Sequence, residues 1–377
     1  MSLKSIPHVV FAVGGSGGHL FLAKSLAGAL LNKSALTITF AGPGENASLK
    51  GNFKLEGIKQ VKVASPAPSL KRILPFSFKF LKGLLSALKL LRQTKPALCI
   101  GFGSYHSVTT LLAARLLKVP IVLFEANFFP GKVNRLFSNQ AVYTAALFSQ
   151  AKMALKGEVK TVRFIPKHKP LKSLPYAEAK KQLGLDPNMF TFLIFGGSQG
   201  ASFINKLVMD SLLYLENLPA NFQIIHSVGK LDDIEKIKAC YAERGVRAHL
   251  TRFIEDMSAV YRASDACISR SGALSVLEQI EYNKPSILIP FAKASDNHQA
   301  YNAFFMQEFV AGGVVVLEKG ASGQILLGKM LDLSQHGSLE FQTMQESIIA
   351  YKAGVKRANF EDLIMQDFDI KSLKGGE

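Results

Sequence analysis

Two glycine-rich turns, each set between a short apolar run and a helical stretch, constrain this chain more than any other feature. The first, Gly14–His19 (GGSGGH), follows Val9–Val13 and opens a helical pattern that runs to Leu31. The second, Gly196–Ala201 (GGSQGA), follows Phe190–Phe195 and opens another that runs to Leu215. A strand that turns at once into a helix must reverse sharply, and glycine lets the backbone do so. After each turn, short apolar runs alternate with longer helical segments. In the first half these runs are Leu36–Ala41, Gln60–Ala64, Ala97–Gly101 and Pro120–Phe124. In the second they are Phe222–His226, Ala248–Thr251, Ala266–Ser269 and Ser286–Ile289. This alternation predicts βαβ units and buried parallel sheets, hence an α/β fold of two Rossmann-like domains.

A length of 377 residues suits two domains, at roughly 150 residues each. The stretch Pro166–Pro175 (PKHKPLKSLP) has linker composition. The expected division is a first domain over 1–165, a linker over 166–176, a second domain over 177–345, and C-terminal helices over 346–377 that could pack back on the first domain. With 48% hydrophobic and 19% charged residues, a disordered chain is excluded. Cys99, Cys240 and Cys267 are scattered and odd in number, with no C-x-x-C or H-E-x-x-H pattern. Reduced thiols are therefore expected, without a disulfide framework or a structural zinc. Val9–Val13 is too short for a signal-peptide core, and no uncharged apolar window is long enough to span a bilayer.

Charge is unevenly placed. Up to Tyr176 there are 25 Lys and Arg against four acids, and Gly57–Phe124 holds no acid at all. Such asymmetry suggests an anionic partner for the first half. Within it, Pro75–Arg92 (PFSFKFLKGLLSALKLLR) reads as an amphipathic helix. Phe76, Phe80, Leu84, Leu88 and Leu91 would share one face, with Lys79, Lys82 and Lys89 opposite and Phe78 and Leu85 at the margin. At that margin Phe78 and Leu85 could insert beside the lysines, and Phe76, Phe80, Lys79 and Lys82 are candidate membrane contacts with anionic lipids as the partner; the alternative is an ordinary amphipathic helix packed on the sheet. No nucleic-acid module is recognisable.

The glycine turns also fit ligand chemistry, since backbone amides at a helix start attract anions. GGSGGH is neither a dinucleotide fingerprint nor a Walker A loop, for Leu20 stands where glycine or alanine belongs and no G-K-[ST] follows. His19, at the exposed start of its helix, is a candidate general base. In Ser269–Ala303, Ser271 is the expected N-cap of a helix whose first amides belong to Gly272, Ala273 and Leu274. Those amides could hold a diphosphate, and Glu278, one turn on, could take the two hydroxyls of a ribose. Asp296, Asn297, His298 and Gln299 follow at the end of a strand, where α/β folds read ligands. No D-x-D pair of the kind that would hold Mg²⁺ or Mn²⁺ beside a diphosphate stands in these segments, so a metal-independent reaction without cofactors is expected.

Together these segments resemble the MurG glycosyltransferases over roughly residues 8–310. The resemblance is carried by GGSGGH, GFGSYHSV (Gly101–Val108), EANFFPGKVNR (Glu125–Arg135), GGSQGA, FIEDM (Phe253–Met257), SRSGALSVLE (Ser269–Glu278) and DNHQAYNA (Asp296–Ala303). It implies the GT-B architecture, two Rossmann-like domains facing across a cleft. It also implies inverting transfer of N-acetylglucosamine from UDP-GlcNAc to the C4 hydroxyl of the muramoyl sugar of lipid I, giving lipid II for peptidoglycan. The donor would meet the backbone of Ile254, Ser198 and Gln199, the amides around Ala273 and Leu274, the Ser275 hydroxyl, Glu278, His298 and Gln299. The acceptor would meet His19 and Asn127 as catalytic candidates, with Tyr105 and the loop Gly14, Gly15, Ser16, Gly17 and Gly18. The resemblance further implies a peripheral protein on the cytoplasmic face of the cell membrane, beside anionic inner-leaflet lipids and other cell-wall synthesis proteins. The chain departs from the family at Ala126, where Gln is usual, and at VRFIPKHKP, where G-N-P-V-R is usual, leaving Arg163 or Lys167 as substitutes. Two rival readings keep the fold: another lipid acceptor, or a nucleotide-sugar binder without turnover.

Overall fold

The computed structural model describes residues 6–14, 17–43, 58–65, 73–163, 174–197, 200–215, 221–335 and 337–370. Two compact units emerge, one formed by Met1–Ile165 with Lys356–Glu377 and the other by Pro166–Val355. The first holds seven strands: β1 (His8–Ala12), β2 (Thr37–Gly42), β3 (Ile58–Lys62), β4 (Leu98–Gly101), β5 (Ile121–Glu125), β6 (Tyr143–Ala146) and β7 (Val159–Thr161). They lie in the order β3-β2-β1-β4-β5-β6-β7, and every pairing is parallel. The second holds β8 (Phe190–Phe195), β9 (Phe222–Ser227), β10 (Ala248–Thr251), β11 (Ala266–Ser269), β12 (Ser286–Leu288) and β13 (Gly313–Val315). Their order is β10-β9-β8-β11-β12-β13, again all parallel.

The central strands are apolar and buried along their length, as helices covering both faces of a parallel sheet require. In the first unit, Val10, Ala12, Cys99, Leu123, Leu91 and Leu111 belong to one apolar core. In the second, Phe192, Ile194, Ile224, Ile268 and Leu326 do the same. Burial pushes the thiols of Cys99 and Cys267 each up to about 12, which leaves them unreactive.

The sequence reading misses β6, β7 and β13. Val142–Leu147 is alanine-rich, with little β propensity of its own, while β7 and β13 are only three residues long. Such strands form because a neighbouring strand offers them a ladder, not because their own residues demand it.

Two boundaries also move. Tyr176 belongs to a helix, Tyr176–Gln182, in which its hydroxyl donates to Asp265 of the second unit. Most of the expected linker, 166–173, lies outside the described residues. At the other end the division falls after Val355. The helix Leu339–Gly354 buries Met344 and Ile348 in the second unit, and Lys352 Nζ donates to Glu281 O at 2.6 Å. Only the last helix, Phe360–Asp367, joins the first unit. There Phe360 stacks on Phe124 at 5.4 Å, Lys33 pairs with Glu361 and Asp362, and Lys160 pairs with Asp367.

Candidate functional site

In an open parallel sheet, ligands bind beyond the carboxyl ends of two adjacent strands whose connections leave in opposite directions. The first unit has that point between β1 and β4, and the second between β8 and β11. Gly14 follows β1, and Gly196 and Gly197 follow β8, so the described start of each glycine turn stands at that point.

In the first unit, Gly14 leaves β1 toward the helix Gly17–Lys33, and Ser104 follows β4 before the short turn Tyr105–Ser107. A Cβ on Gly14 would overlap the Ser104 side chain and would stand 3.7 Å from His19 Nδ1. Glycine here is a requirement of space. Gly14, Ser104 and the half-buried His19 therefore meet at one spot. Tyr105 is exposed beside them, its carbonyl accepting from Ser65 Oγ at 2.7 Å.

The loop after β5 is built around a buried carboxylate. Glu125 Oε1 accepts from the Asn127 amide at 2.8 Å and from Asn127 Nδ2 at 3.2 Å. Its Oε2 accepts from the Gly131 amide and from Asn134 Nδ2, both at 2.9 Å. Burial raises the Glu125 pKa above the ordinary carboxylate value, and these four donors pull the other way. Asn127 is thus held at the carboxyl edge by Glu125. Across from it, Arg135 lies over the Phe129 ring at 5.1 Å.

In the second unit, Gly200 has a left-handed φ of +83°, and a Cβ there would press on Gly229 Cα and Val228 O at 2.7 and 2.8 Å. Only glycine satisfies both demands. After β11 the chain passes Arg270 and Ser271 into the helix Ala273–Glu281. The N-cap is Gly272, not the expected Ser271, and no side chain caps the helix. The first amides therefore point outward without a capping oxygen, the arrangement that suits an anion. Ser271 is turned away because its Oγ donates to Gln299 O at 2.8 Å. Glu278, one turn into the helix, accepts from Tyr261 OH at 3.4 Å. Ile254 sits between two local clamps. Thr251 Oγ1 closes a turn onto Phe253, and Asp256 caps the helix Met257–Ala263 by accepting from Ser258.

The loop before His298 carries Asp296 and Asn297 with φ of 54° and 53°. It is fastened by Gln299 Oε1, which accepts from the Phe291 amide at 3.0 Å. Beneath it, buried Arg270 donates to the carbonyls of Ile289 and Pro290, and pairs with Glu318 at 2.6 Å.

Models of glycosyltransferase family 28 match both units, the N-terminal domain at residues 9–145 and the C-terminal domain at 191–364. A UDP-N-acetylglucosamine–N-acetylmuramyl-(pentapeptide) pyrophosphoryl-undecaprenol N-acetylglucosamine transferase of Protochlamydia amoebophila is 34% identical, over 97% of this chain and 96% of the relative. The chain belongs to the MurG family of glycosyltransferases. An enzyme of the same description from Chlamydia pneumoniae is also 34% identical, over 97% of this chain and 99% of its own length. The crystal structure of Acinetobacter baumannii MurG aligns with a TM-score of 0.75 and 25% identity, covering 96% of this chain and 99% of that one. A UGT transferase from Siraitia grosvenorii in complex with UDP shares the fold at a TM-score of 0.67 and 15% identity, covering 96% and 98%. The α/β fold of two parallel-sheet units is thus the GT-B architecture of MurG.

Within this MurG chain, the expected site residues fall at the carboxyl edges of the two sheets. Gly14, Gly17, Gly18, His19, Tyr105 and Asn127 gather in the first unit. Ile254, Ala273, Leu274, Ser275, Glu278, His298 and Gln299 gather in the second. Gly15, Ser16, Ser198, Gln199 and Lys167 lie outside the described residues. Arg163 donates its backbone amide to Ala358 O at 2.8 Å, tied to the C-terminal segment.

Sequence reasoning missed Ser104, Glu125, Asn134 and Arg270 as builders of the site. Each lies inside a quoted motif, but its role depends on a partner distant in sequence or on a loop closing around it.

The basic helix packs one apolar face on the sheet. It spans Ile73–Thr94, and Leu84, Leu88 and Leu91 turn inward against the sheet, with Phe80 half-buried. The exposed apolar residues are Phe78, Leu81 and Leu85, at 72%, 54% and 58%. They share a stripe with exposed Lys82 and Lys89, by their i, i+3, i+4 spacing. Lys79 is exposed as well, and the Phe76 side chain lies outside the described set.

Proposed function

We propose that this chain transfers N-acetylglucosamine from UDP-GlcNAc to the C4 hydroxyl of the muramoyl sugar of lipid I, with inversion at the anomeric carbon. Supporting this reading is the second unit's uncapped helix start at Gly272, with Glu278 one turn in and the His298–Gln299 loop fastened beside it. That is the layout a nucleoside diphosphate sugar needs: amides for the diphosphate, a carboxylate for the ribose, polar side chains for the sugar. The relatives' shared description names the same donor and acceptor.

Attack of a hydroxyl on the anomeric carbon requires removal of its proton and stabilisation of the leaving diphosphate. His19, beside Gly14 and Ser104, is the candidate base, and Asn127, held by Glu125, the candidate for orienting the acceptor. The helix amides at Ala273 and Leu274 would meet the developing diphosphate charge. Such amides act without a metal, and no cofactor enters this scheme.

Among the described residues no helix is long and apolar enough to cross a membrane. A lipid-linked acceptor would then be reached from the surface, on the cytoplasmic face where UDP-sugars are made. The stripe Phe78, Leu81 and Leu85 flanked by Lys82 and Lys89 suits anionic inner-leaflet lipids. The deciding experiment is UDP release from UDP-GlcNAc in the presence of EDTA, with and without a short-chain lipid I analogue. Release that depends on the analogue, together with a disaccharide product, is expected. Equal release with and without it, or transfer only to a diacylglycerol, would overturn the acceptor assignment.

A further inference from the structure

We infer that Ser271 is a positioning residue that registers the sugar-reading loop against the diphosphate-binding helix, and so governs how the donor's sugar is held rather than its nucleotide. This inference rests on the donor-site reading above.

Ser271 is fully buried between β11 and the helix start, and it is not the helix cap. Its hydroxyl and its carbonyl are both spent on one distant segment. Its Oγ donates to the Gln299 carbonyl at 2.8 Å, and its own carbonyl accepts from Asn302 Nδ2 at 3.2 Å. Asn302 is itself fully buried, one helical turn beyond Gln299. The loop that Ser271 grips has reason to drift. It enters the helix through two consecutive non-glycine residues in the left-handed region, Asp296 and Asn297, a conformation that surrounding contacts must hold in place. Two bonds meet at Gln299, where that loop enters the helix: the Phe291 amide holds its side chain, and Ser271 holds its carbonyl.

The amides of Ala273, Leu274 and Ser275 depend on their own helix, which does not need the Ser271 hydroxyl. Removing that hydroxyl cuts the tie between Ser271 and the Gln299 carbonyl and loosens His298 and Gln299, while the diphosphate amides stay where they are. A serine serving only core packing would instead weaken nucleotide and nucleotide sugar alike, or neither.

Calorimetry on the full-length chain separates these cases, with UDP, UDP-GlcNAc and the 4-epimer UDP-GalNAc as ligands. For Ser271→Ala, the Kd for UDP-GlcNAc should rise about tenfold and that for UDP by less than about twofold, the scale of one buried hydrogen bond. The preference for UDP-GlcNAc over UDP-GalNAc should shrink in step. Ser271→Cys keeps the volume but donates poorly, so it should show the same split and serves if the alanine variant does not fold. Parallel weakening of UDP and UDP-GlcNAc, or no change in either, would overturn the role of Ser271. A wild-type chain that binds no UDP would overturn the donor site itself, a result distinct from both.

Discussion

Asn205 accepts from His226 at 3.0 Å inside the second unit, and this contact places a proton on one nitrogen of the ring. The Asn205 amide nitrogen already donates to Val228 O and Asp232, both at 2.8 Å, so its Oδ1 faces the histidine as an acceptor. His226 Nε2 therefore carries the proton, and Nδ1 accepts from Tyr241 OH at 2.8 Å. The network is satisfied only by a neutral ring, and it holds Val228 against Gly200 in the glycine turn.

Burial lowers the His226 pKa to about 3 from an ordinary 6.5. Below pH 6.5 the unfolded chain takes up a proton that the folded chain refuses until about pH 3. Stability is thus full above 6.5 and falls with acid across that window, by about 1.4 kcal/mol per pH unit for one proton. Urea unfolding between pH 7 and 4.5 should show the slope, and the ring should not titrate above pH 5 by NMR. A native-state His226 titrating near 6.5 would contradict the network.

Glu125→Gln puts an NH₂ where two of the four N–H donors now find an oxygen. The loop carrying Asn127 should shift. Acceptor-dependent turnover is expected to fall about 10²-fold, the scale of a misplaced catalytic group. UDP affinity, a property of the other unit, should stay within about twofold. An equal loss of UDP binding would mean that Glu125 supports the fold at large.

Glu278→Ala should weaken UDP-GlcNAc binding by about 1–3 kcal/mol, the range for a charge-assisted hydrogen bond. The penalty should shrink for a 2′-deoxy UDP analogue, which lacks one of the hydroxyls concerned. Unchanged affinity in calorimetry would return Glu278 to a structural role beside Tyr261.

His19→Ala should cut turnover by roughly 10²–10⁴-fold while leaving donor affinity nearly intact. His19→Gln, which can orient a hydroxyl but not take its proton, should recover little. Retention of most activity by either variant would return the histidine to a packing role beside Gly14.

At the surface helix, Phe78→Ser with Leu85→Ser should reduce sedimentation with anionic vesicles, as should Lys82→Glu with Lys89→Glu. The lysine pair should matter less in high salt, where about 1 kcal/mol per lysine is screened. Equal sedimentation of all forms would place the lipid contact on another surface.

By itself, the sequence determined the α/β class, the two units and the edge of each sheet on which the candidate site residues fall. Those follow from local signals: an apolar run, a glycine turn and a helix repeat cannot be packed in many ways. GGSGGH and SRSGALSVLE were legible because their spacing along the chain is also their spacing in space. The tertiary structure decided what local pattern could not encode. Val159–Thr161 and Gly313–Val315 are strands only because a neighbour pairs with them. Leu84 and Leu88 face inward because the sheet lies on that side of their helix, which left Phe78, Leu81 and Leu85 to the surface. Ser271 looked like a helix cap by position, yet a carbonyl 28 positions away holds its hydroxyl. Hydrogen bonds of such long sequence separation depend on where the folded chain brings two loops together, and no local window contains both partners.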